Sequence, residues 1–334
     1  MMFQRFLAVL KARNMEFMRD KSALSWNLIF PILVVMGFAF AFNTDNGDLF
    51  KVAIKADGDI PAAIQPFTDL KHIEFVNIDD IAAGIKKVER HQFDMLIEAS
   101  SQQYWINEAS SKGYMLERLI SSHAANLNKQ MVSGEAIRYV DWLIPGILGM
   151  NVMFSALFGI GYVIVRYRKN GVLKRLKATP LSAFEFLSAQ VLSRLWLILL
   201  FTAMVYIGTD IFVDFRMLGS YFTLLLILIL GTLSLISLSL IVAARLSSEE
   251  TANGLLNLLS WPMMLLSGVW FSLEGSHPLI QHLASLLPLT HLIDAARAVM
   301  IDGAQLADIG MNLIVMVIMT IVFMAIGVYN FRWE

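Results

Sequence analysis

Residues 217–244 read MLGSYFTLLLILILGTLSLISLSLIVAA, a run with no Asp, Glu, Lys or Arg. A helix rises 1.5 Å per residue, so about 20 apolar residues cross the hydrocarbon core of a bilayer. Working outward from this run, five more stretches meet the same criterion: Ser22–Thr44, Trp142–Val165, Phe186–Thr209, Thr251–Leu273 and Ile309–Phe331. Only the third in chain order carries a charge, Arg194, close enough to one end for its side chain to snorkel to the interface. The expected fold class is therefore an all-α polytopic membrane protein with six transmembrane helices. The composition of the 334-residue chain agrees. It is 57% hydrophobic and 16% charged, against about 25% charged in soluble domains.

Net charge is −1, which gives no reason to expect a nucleic-acid partner. Cysteine is absent, so disulfides, thiolate metal sites and cysteine nucleophiles are excluded. The basic residues are lopsided. Arg5, Lys11, Arg13, Arg19 and Lys21 precede the first span, and Arg166, Arg168, Lys169, Lys174, Arg175 and Lys177 follow the second. Arg245 and Arg332 fall on the same side, against Arg216 and Arg297 on the other. Short loops rich in Lys and Arg stay cytoplasmic. Both termini are thus expected in the cytoplasm and Asp45–Asp141 outside. A rival reading of Ala39-Phe40-Ala41 as a signal-peptide cleavage site conflicts with the length of the uncharged run before it.

The expected organisation is a cytoplasmic interfacial helix at 1–21, a first transmembrane helix at 22–44, an extracytoplasmic α/β domain at 45–141 and a transmembrane domain at 142–334. The last holds five helices, a cytoplasmic segment at 166–188 and outer re-entrant helices at 275–297. In 1–21, Phe3, Phe6, Leu10 and Phe17 interleave with Arg5, Lys11 and Arg13, a pattern that suits the headgroup region. Within 45–141, strands are predicted at Phe50–Ile54, Ile73–Ile78, Phe93–Ile97 and Tyr104–Ile106. Helices are predicted at Ile60–Leu70, from Asp79 as N-cap to Arg90, and from Ser111 toward the second span. Gly275–Ile293 is uncharged but interrupted by Pro278 and Pro288, and reads as a broken, re-entrant helix pair.

Catalytic signatures are missing. There is no phosphate-binding Gly-x-x-x-x-Gly-Lys-Ser/Thr loop, no His-Glu-x-x-His and no Gly-x-Ser-x-Gly. The spans lack buried carboxylates, which argues against an ion-coupled carrier. His277, His282, His291 and Asp294 could be metal ligands by type, but their spacing matches no compact zinc motif, and the expectation is no metal. The most informative loop is Arg166–Ser188, RYRKNGVLKRLKATPLSAFEFLS. Gly171 breaks it, a short amphipathic helix follows, Thr179-Pro180 turns the chain, and Ser182 with Glu185 has capping-box spacing. A helix lying on the cytoplasmic face between two spans is a natural docking knob.

At this loop the chain resembles the membrane subunit of type-2 ABC transporters, the type V exporter fold. Gly171–Gln190 resembles that family's coupling segment, Ile144-Pro145-Gly146 its entry to the second span, and Arg245–Glu250 its fourth-to-fifth loop. Ser267–Phe271, His277-Pro278, Leu287–Thr290 and Ala296-Arg297 resemble its fifth span and outer re-entrant helices. The large insertion between the first two spans resembles a bacterial exporter subgroup. The resemblance implies six spans per subunit, a homodimer or paired paralogue, and a separate cytoplasmic ATPase that holds ATP and Mg. The chain itself would then hold no cofactor and be no enzyme. It also implies a bacterial inner-membrane location, contact with membrane lipid, and an apolar or amphipathic cargo. Residues expected to couple to the ATPase are Gly171, Lys174, Arg175, Leu176, Thr179, Pro180 and Glu185. Where the family often has acidic residues before the glycine, this chain has Arg168, Lys169 and Asn170, so the segment is the expected docking unit, not one charge. Asn257, Ser260, Trp261 and Met264 are the expected path residues; His277, Pro278, Pro288, His291 and Arg297 mark the outer segment. The outer domain could dock a periplasmic adaptor or cap the pore. The alternative function is a membrane scaffold or sensor reading ligands through that domain; a metal enzyme built on the outer histidines is a third reading.

Overall fold

The computed structural model describes residues 2–19, 28–29, 31–36, 50–55, 64–68, 70–123, 127–134, 137–273 and 277–333. Most of the expected first span, Ser22–Thr44, and the Ala39–Ala41 site lie outside the described residues. In chain order the elements are α1 (Met2–Arg19), β1 (Phe50–Lys55), α2 (Gln65–Thr68), β2 (Ile73–Asn77), α3 (Ile81–Glu89), β3 (Met95–Glu98), β4 (Gln103–Asn107), α4 (Ser111–His123) and β5 (Asn128–Val132). There follow α5 (Tyr139–Ala156), a π-helical turn (Leu157–Tyr162), α6 (Val163–Lys169), α7 (Val172–Lys177), α8 (Ala183–Val213), α9 (Tyr221–Ala243), α10 (Glu249–Leu266), α11 (Pro278–Ser285), α12 (Pro288–Asp302) and α13 (Gly310–Asn330). The chain divides into two compact units, 42–139 and the remainder, 1–41 with 140–334.

The 42–139 unit is a five-stranded mixed sheet in the order β2-β1-β3-β4-β5. Strands β2, β1 and β3 are parallel, β4 runs antiparallel to β3, and β5 is parallel to β4. Alternation along β1 explains the two-sided core. Val52 and Ile54 pack with Phe67, Leu116 and Ile120 on one face, and Ala53 packs with Val88 and Leu96 on the other. Two expectations need correction. Asp80, not Asp79, caps α3, its carboxylate accepting from the Ala82 N–H at 2.9 Å. The last helix does not run on toward the membrane: it stops at His123, and Asn128–Val132 returns as an edge strand registered Tyr104↔Lys129. That strand is mostly polar and exposed, so it carries no apolar alternation for a sequence reading to find.

In the other unit, four helices are long and apolar enough to cross a bilayer: Tyr139–Lys169, Ala183–Val213, Tyr221–Ala243 and Gly310–Asn330. The bent pair α11–α12, which turns by 95°, makes up to five among the described residues. This pair is the broken segment expected from Pro278 and Pro288, each of which sits in the first turn of its helix. The expected fifth span, Thr251–Leu273, is not among these helices. Helix α10 ends at Leu266, because Gly268 adopts φ +68 and turns the chain before Leu273. The buried core of this unit draws on α5, the π-turn, α8, α9, α10 and α12, with Val152, Ile160, Phe186, Leu235, Leu256 and Val299 among its members.

Candidate functional site

The loop between α6 and α8 forms an elbow at the basic end of the helical unit. Gly171 stands at φ +68, a left-handed position that a side chain resists, and α7 follows at once. Leu173 is its buried anchor, while Lys174, Arg175 and Lys177 are exposed. Leu176 is half-buried, and its carbonyl accepts from the Thr179 N–H and hydroxyl, closing the turn at exposed Thr179 and Pro180. The expected capping box is formed: Ser182 Oγ accepts from the Glu185 N–H at 3.1 Å, and Glu185 Oε2 accepts from the Ser182 N–H at 2.7 Å. The seven expected coupling residues thus lie on one short elbow, Glu185 buried at its base.

Four arginines brace this elbow: Arg13, Arg166 and Arg168, which charge counting reads as topology markers, and Arg194. Arg168 is buried, not solvated. Its guanidinium donates to Ala243 O at 2.9 Å, Ala244 O at 3.0 Å, Arg332 O at 2.7 Å and Leu246 O. It therefore ties the end of α6 to the end of α9 and to the C-terminal tail. Phe331 and Trp333 of that tail pack on Phe186 at the start of α8, with ring centroids 6.2 and 5.6 Å away. Carbonyls at a helix end lack intrahelical donors, and a planar five-donor cation satisfies several at once. Lys169 reaches Glu249 at 3.4 Å, and Tyr162 donates to Glu249 at 2.5 Å, which holds that carboxyl below its usual range.

The other three gather around the π-turn. Arg13 of α1 donates to Gly159 O at 2.8 Å and pairs with Glu16. Arg166 also pairs with Glu16, at 2.8 Å, and Tyr167 donates to it. Burial works to raise the Glu16 carboxyl, but the Tyr167 hydroxyl and the two arginines outweigh it and hold it low. Arg194 does not snorkel. It is only 6% exposed, donates to Ser155 O at 2.7 Å and lies 5.0 Å over the Phe17 ring. Gly159 makes room for it, because a Cβ there would overlap the guanidinium. A π-turn spaces its carbonyls more widely than an α-helix does, and such turns recur at functional sites. Here Gly159 O within the turn receives Arg13 of α1, and Ser155 O, just before it in α5, receives Arg194 of α8. No motif marks Arg13, Gly159 or Arg168; the only cue in the chain is Arg194 itself, a lone charge in an apolar run.

At the opposite end, Arg297 plays a related part. Its Nε donates to Trp142 O at 3.1 Å, its Nη2 to Gly268 O at 2.5 Å, and it lies 3.6 Å over the Trp142 ring. Thr290 donates to Ser267 at 3.0 Å beside it. The outer-segment residues thus converge on the ends of α5 and α10. Two of the outer histidines make local contacts. His277 caps α11, and His291 contacts Ser285 O at 2.8 Å and Asn312 at 3.0 Å. No group of metal-ligating side chains assembles among the described residues. The four expected path residues of α10 share one stripe at i, i+3, i+4 and i+7 but differ in depth: Ser260 and Met264 are buried in the unit, Asn257 is half-buried, and Trp261 is 56% exposed.

A family model described as ABC-2 family transporter protein matches residues 21–329. Nodulation protein J of Rhizobium meliloti (strain 1021) is 26% identical over 213 residues, covering 61% of this chain and 79% of that protein. Nodulation protein J of Neorhizobium galegae is 37% identical over 87 residues, 26% of this chain and 33% of that protein, so the chain spans about a third of that relative. The match runs from the first apolar stretch to the last helix and takes in both arginine-braced ends, and on it the chain belongs to the ABC-2 family of membrane transporter proteins.

Proposed function

We propose that this chain is the permease subunit of an ATP-driven exporter in a bacterial inner membrane, with six spans and both termini in the cytoplasm. A separate ATPase holds ATP and Mg and docks on the elbow Gly171–Glu185. Two permease copies, or this chain and a paralogue, flank the transport path. The cargo is amphipathic or apolar and leaves from the cytoplasm or inner leaflet, with Asn257, Ser260, Trp261 and Met264 along its route. The 45–141 domain lies outside, where a periplasmic adaptor is a further partner.

The observation that carries this reading is the bracing of the elbow. A docking helix transmits force only if it is rigidly tied to what must move. Here α7 begins four residues after Arg168, which grips α9 and the tail, and precedes α8, whose Arg194 grips the end of α5. A push on exposed Lys174, Arg175 and Lys177 therefore reaches four helices without slack. The test is co-expression with a cytoplasmic ABC ATPase subunit from the same genome, followed by affinity purification and ATP hydrolysis in lipid discs. The permease alone is expected to hydrolyse no ATP, and the pair to co-purify. Pairing that survives replacement of Val172 and Lys174–Lys177 by Gly and Ser overturns the docking assignment.

A further inference from the structure

Helices α5, α8, α9 and α12 enclose a cavity of about 470 Å³, well within the range of small-molecule sites. Its walls are hydrocarbon, with Leu148, Val152, Leu228 and Leu292 among them. It opens sideways between α8 and α9, where lining residues Ile207, Tyr221 and Leu225 are 58%, 64% and 45% exposed. From Thr202 to Asp210 along α8, the cavity runs about 12 Å at the rise of a helix.

One end of this chamber is chemically distinct. Asp210 is its single charged lining residue, and it forms no ion pair among the described residues. Tyr206 and Tyr221 stand beside it, edge to face with ring centroids 6.2 Å apart. Phe215 closes the corner 4.8 Å from Tyr206. A carboxylate flanked by aromatic rings is the arrangement that attracts an ammonium group, through charge and through the ring faces. No Lys or Arg lines the cavity, so an anionic head would meet only repulsion. A neutral chain would fill the walls and leave Asp210 without a counter-charge in a site that opens toward lipid.

We infer that this cavity binds a lipophilic ammonium compound, its protonated amine held by Asp210, Tyr206 and Tyr221 and its hydrocarbon body in the chamber. The amine can come from the headgroup of phosphatidylethanolamine or from a free amphipathic amine. Binding requires neither an ATPase nor transport, so the site stands or falls apart from the exporter reading.

The experiment uses the full chain in phosphatidylglycerol discs and radiolabelled hexadecylamine, with hexadecanol and hexadecanoate as equal-length comparators. Hexadecylamine is expected to bind saturably above empty discs, at least about tenfold tighter than hexadecanol, the effect of one charge-assisted contact. Asp210→Asn should weaken the amine by about tenfold and leave hexadecanol unchanged. Ala203→Trp, at the exposed mouth, should block both without touching the charge. Unfolding temperatures of the variants verify their folding. Displacement of hexadecylamine by added phosphatidylethanolamine identifies the lipid as the source, and its retention identifies the free amine; either supports the site. Equal binding of the alcohol and the amine, or undiminished binding of the amine to Asp210→Asn, overturns it.

Discussion

At the basic end of the helical unit Arg168 gathers four carbonyls from the end of α9, the chain just after it and the tail, while at the other end Arg297 gathers two, from Trp142 and Gly268. Both solve the same problem. Helix ends expose carbonyls with no partner, and in an apolar bundle an unpaired carbonyl is costly. A guanidinium satisfies several while joining the elements that own them. The ends differ in what is left outside. Beyond Arg168 the chain presents an exposed cationic helix, α7; beside Arg297 it presents a folded-back helix pair whose histidines are used in capping and packing. The lesson is that charge count alone cannot separate a buried brace from an exposed cation: Arg168 and Lys174 are six residues apart, one on backbone carbonyls and the other at the surface.

The comparison breaks most sharply on α7. Exchanging Val172 and Lys174–Lys177 for Gly and Ser, with Arg168 and the buried Leu173 retained, should abolish co-purification with the ATPase while the unfolding temperature in detergent stays near that of the unaltered chain. Removing Arg168 as well would confuse the two effects, since that residue holds the bundle. Arg168→Ala should therefore cost on the order of 3 kcal/mol, seen as a lowered thermal midpoint, and weaken ATPase pairing too. Arg297→Ala should lose a comparable amount and leave the pairing intact. If both arginine variants lose the ATPase equally, the two ends are not functionally distinct.

Smaller effects sharpen the picture. Gly159→Ala pushes a methyl group into the Arg194 guanidinium and should destabilise by about 1–3 kcal/mol. Gly171→Ala meets open space, so only its left-handed backbone is penalised, by about 1–2 kcal/mol. The order of those two midpoints separates a packing requirement from a conformational one. The mildest test is Glu16→Gln. The Glu16 carboxyl titrates below its reference value of 4.5, so its contribution is complete above that pH and fades as the pH falls through the lower folded value. Thermal midpoints of the two proteins should differ at neutral pH and converge in acid.

Much of the frame was legible along the chain. The spans at 183–213, 221–243 and 310–330 are uniform enough that length and hydropathy locate them to within a few residues, and Ser182 with Glu185 announced the start of α8. Pro278 and Pro288 announced the bent pair. What escaped the reading has a common cause. Strand β5 is a polar edge, so its pairing with β4 leaves no periodic trace. Helix α10 stops at Leu266 because Gly268 turns and hands its carbonyl to Arg297, a residue 29 positions later. Asn257, Ser260, Trp261 and Met264 share one helical stripe, but how deeply each is buried depends on neighbours that the α10 sequence does not name.

By itself the sequence determined that this chain enters a membrane repeatedly, which end of its helices is basic, and where a short amphipathic elbow falls between two of them. Those facts follow from local hydrophobicity and charge, which act through solvent and need no partner. Only the tertiary structure decided that Arg13, Arg168 and Arg194 turn inward to backbone carbonyls, that Gly159 is a seat for a guanidinium, and that Asp210 shares a cavity with Tyr206 and Tyr221. A long cation can reach water or a buried carbonyl from the same Cα, and the choice rests on which carbonyls the packed helices leave unsatisfied within its reach.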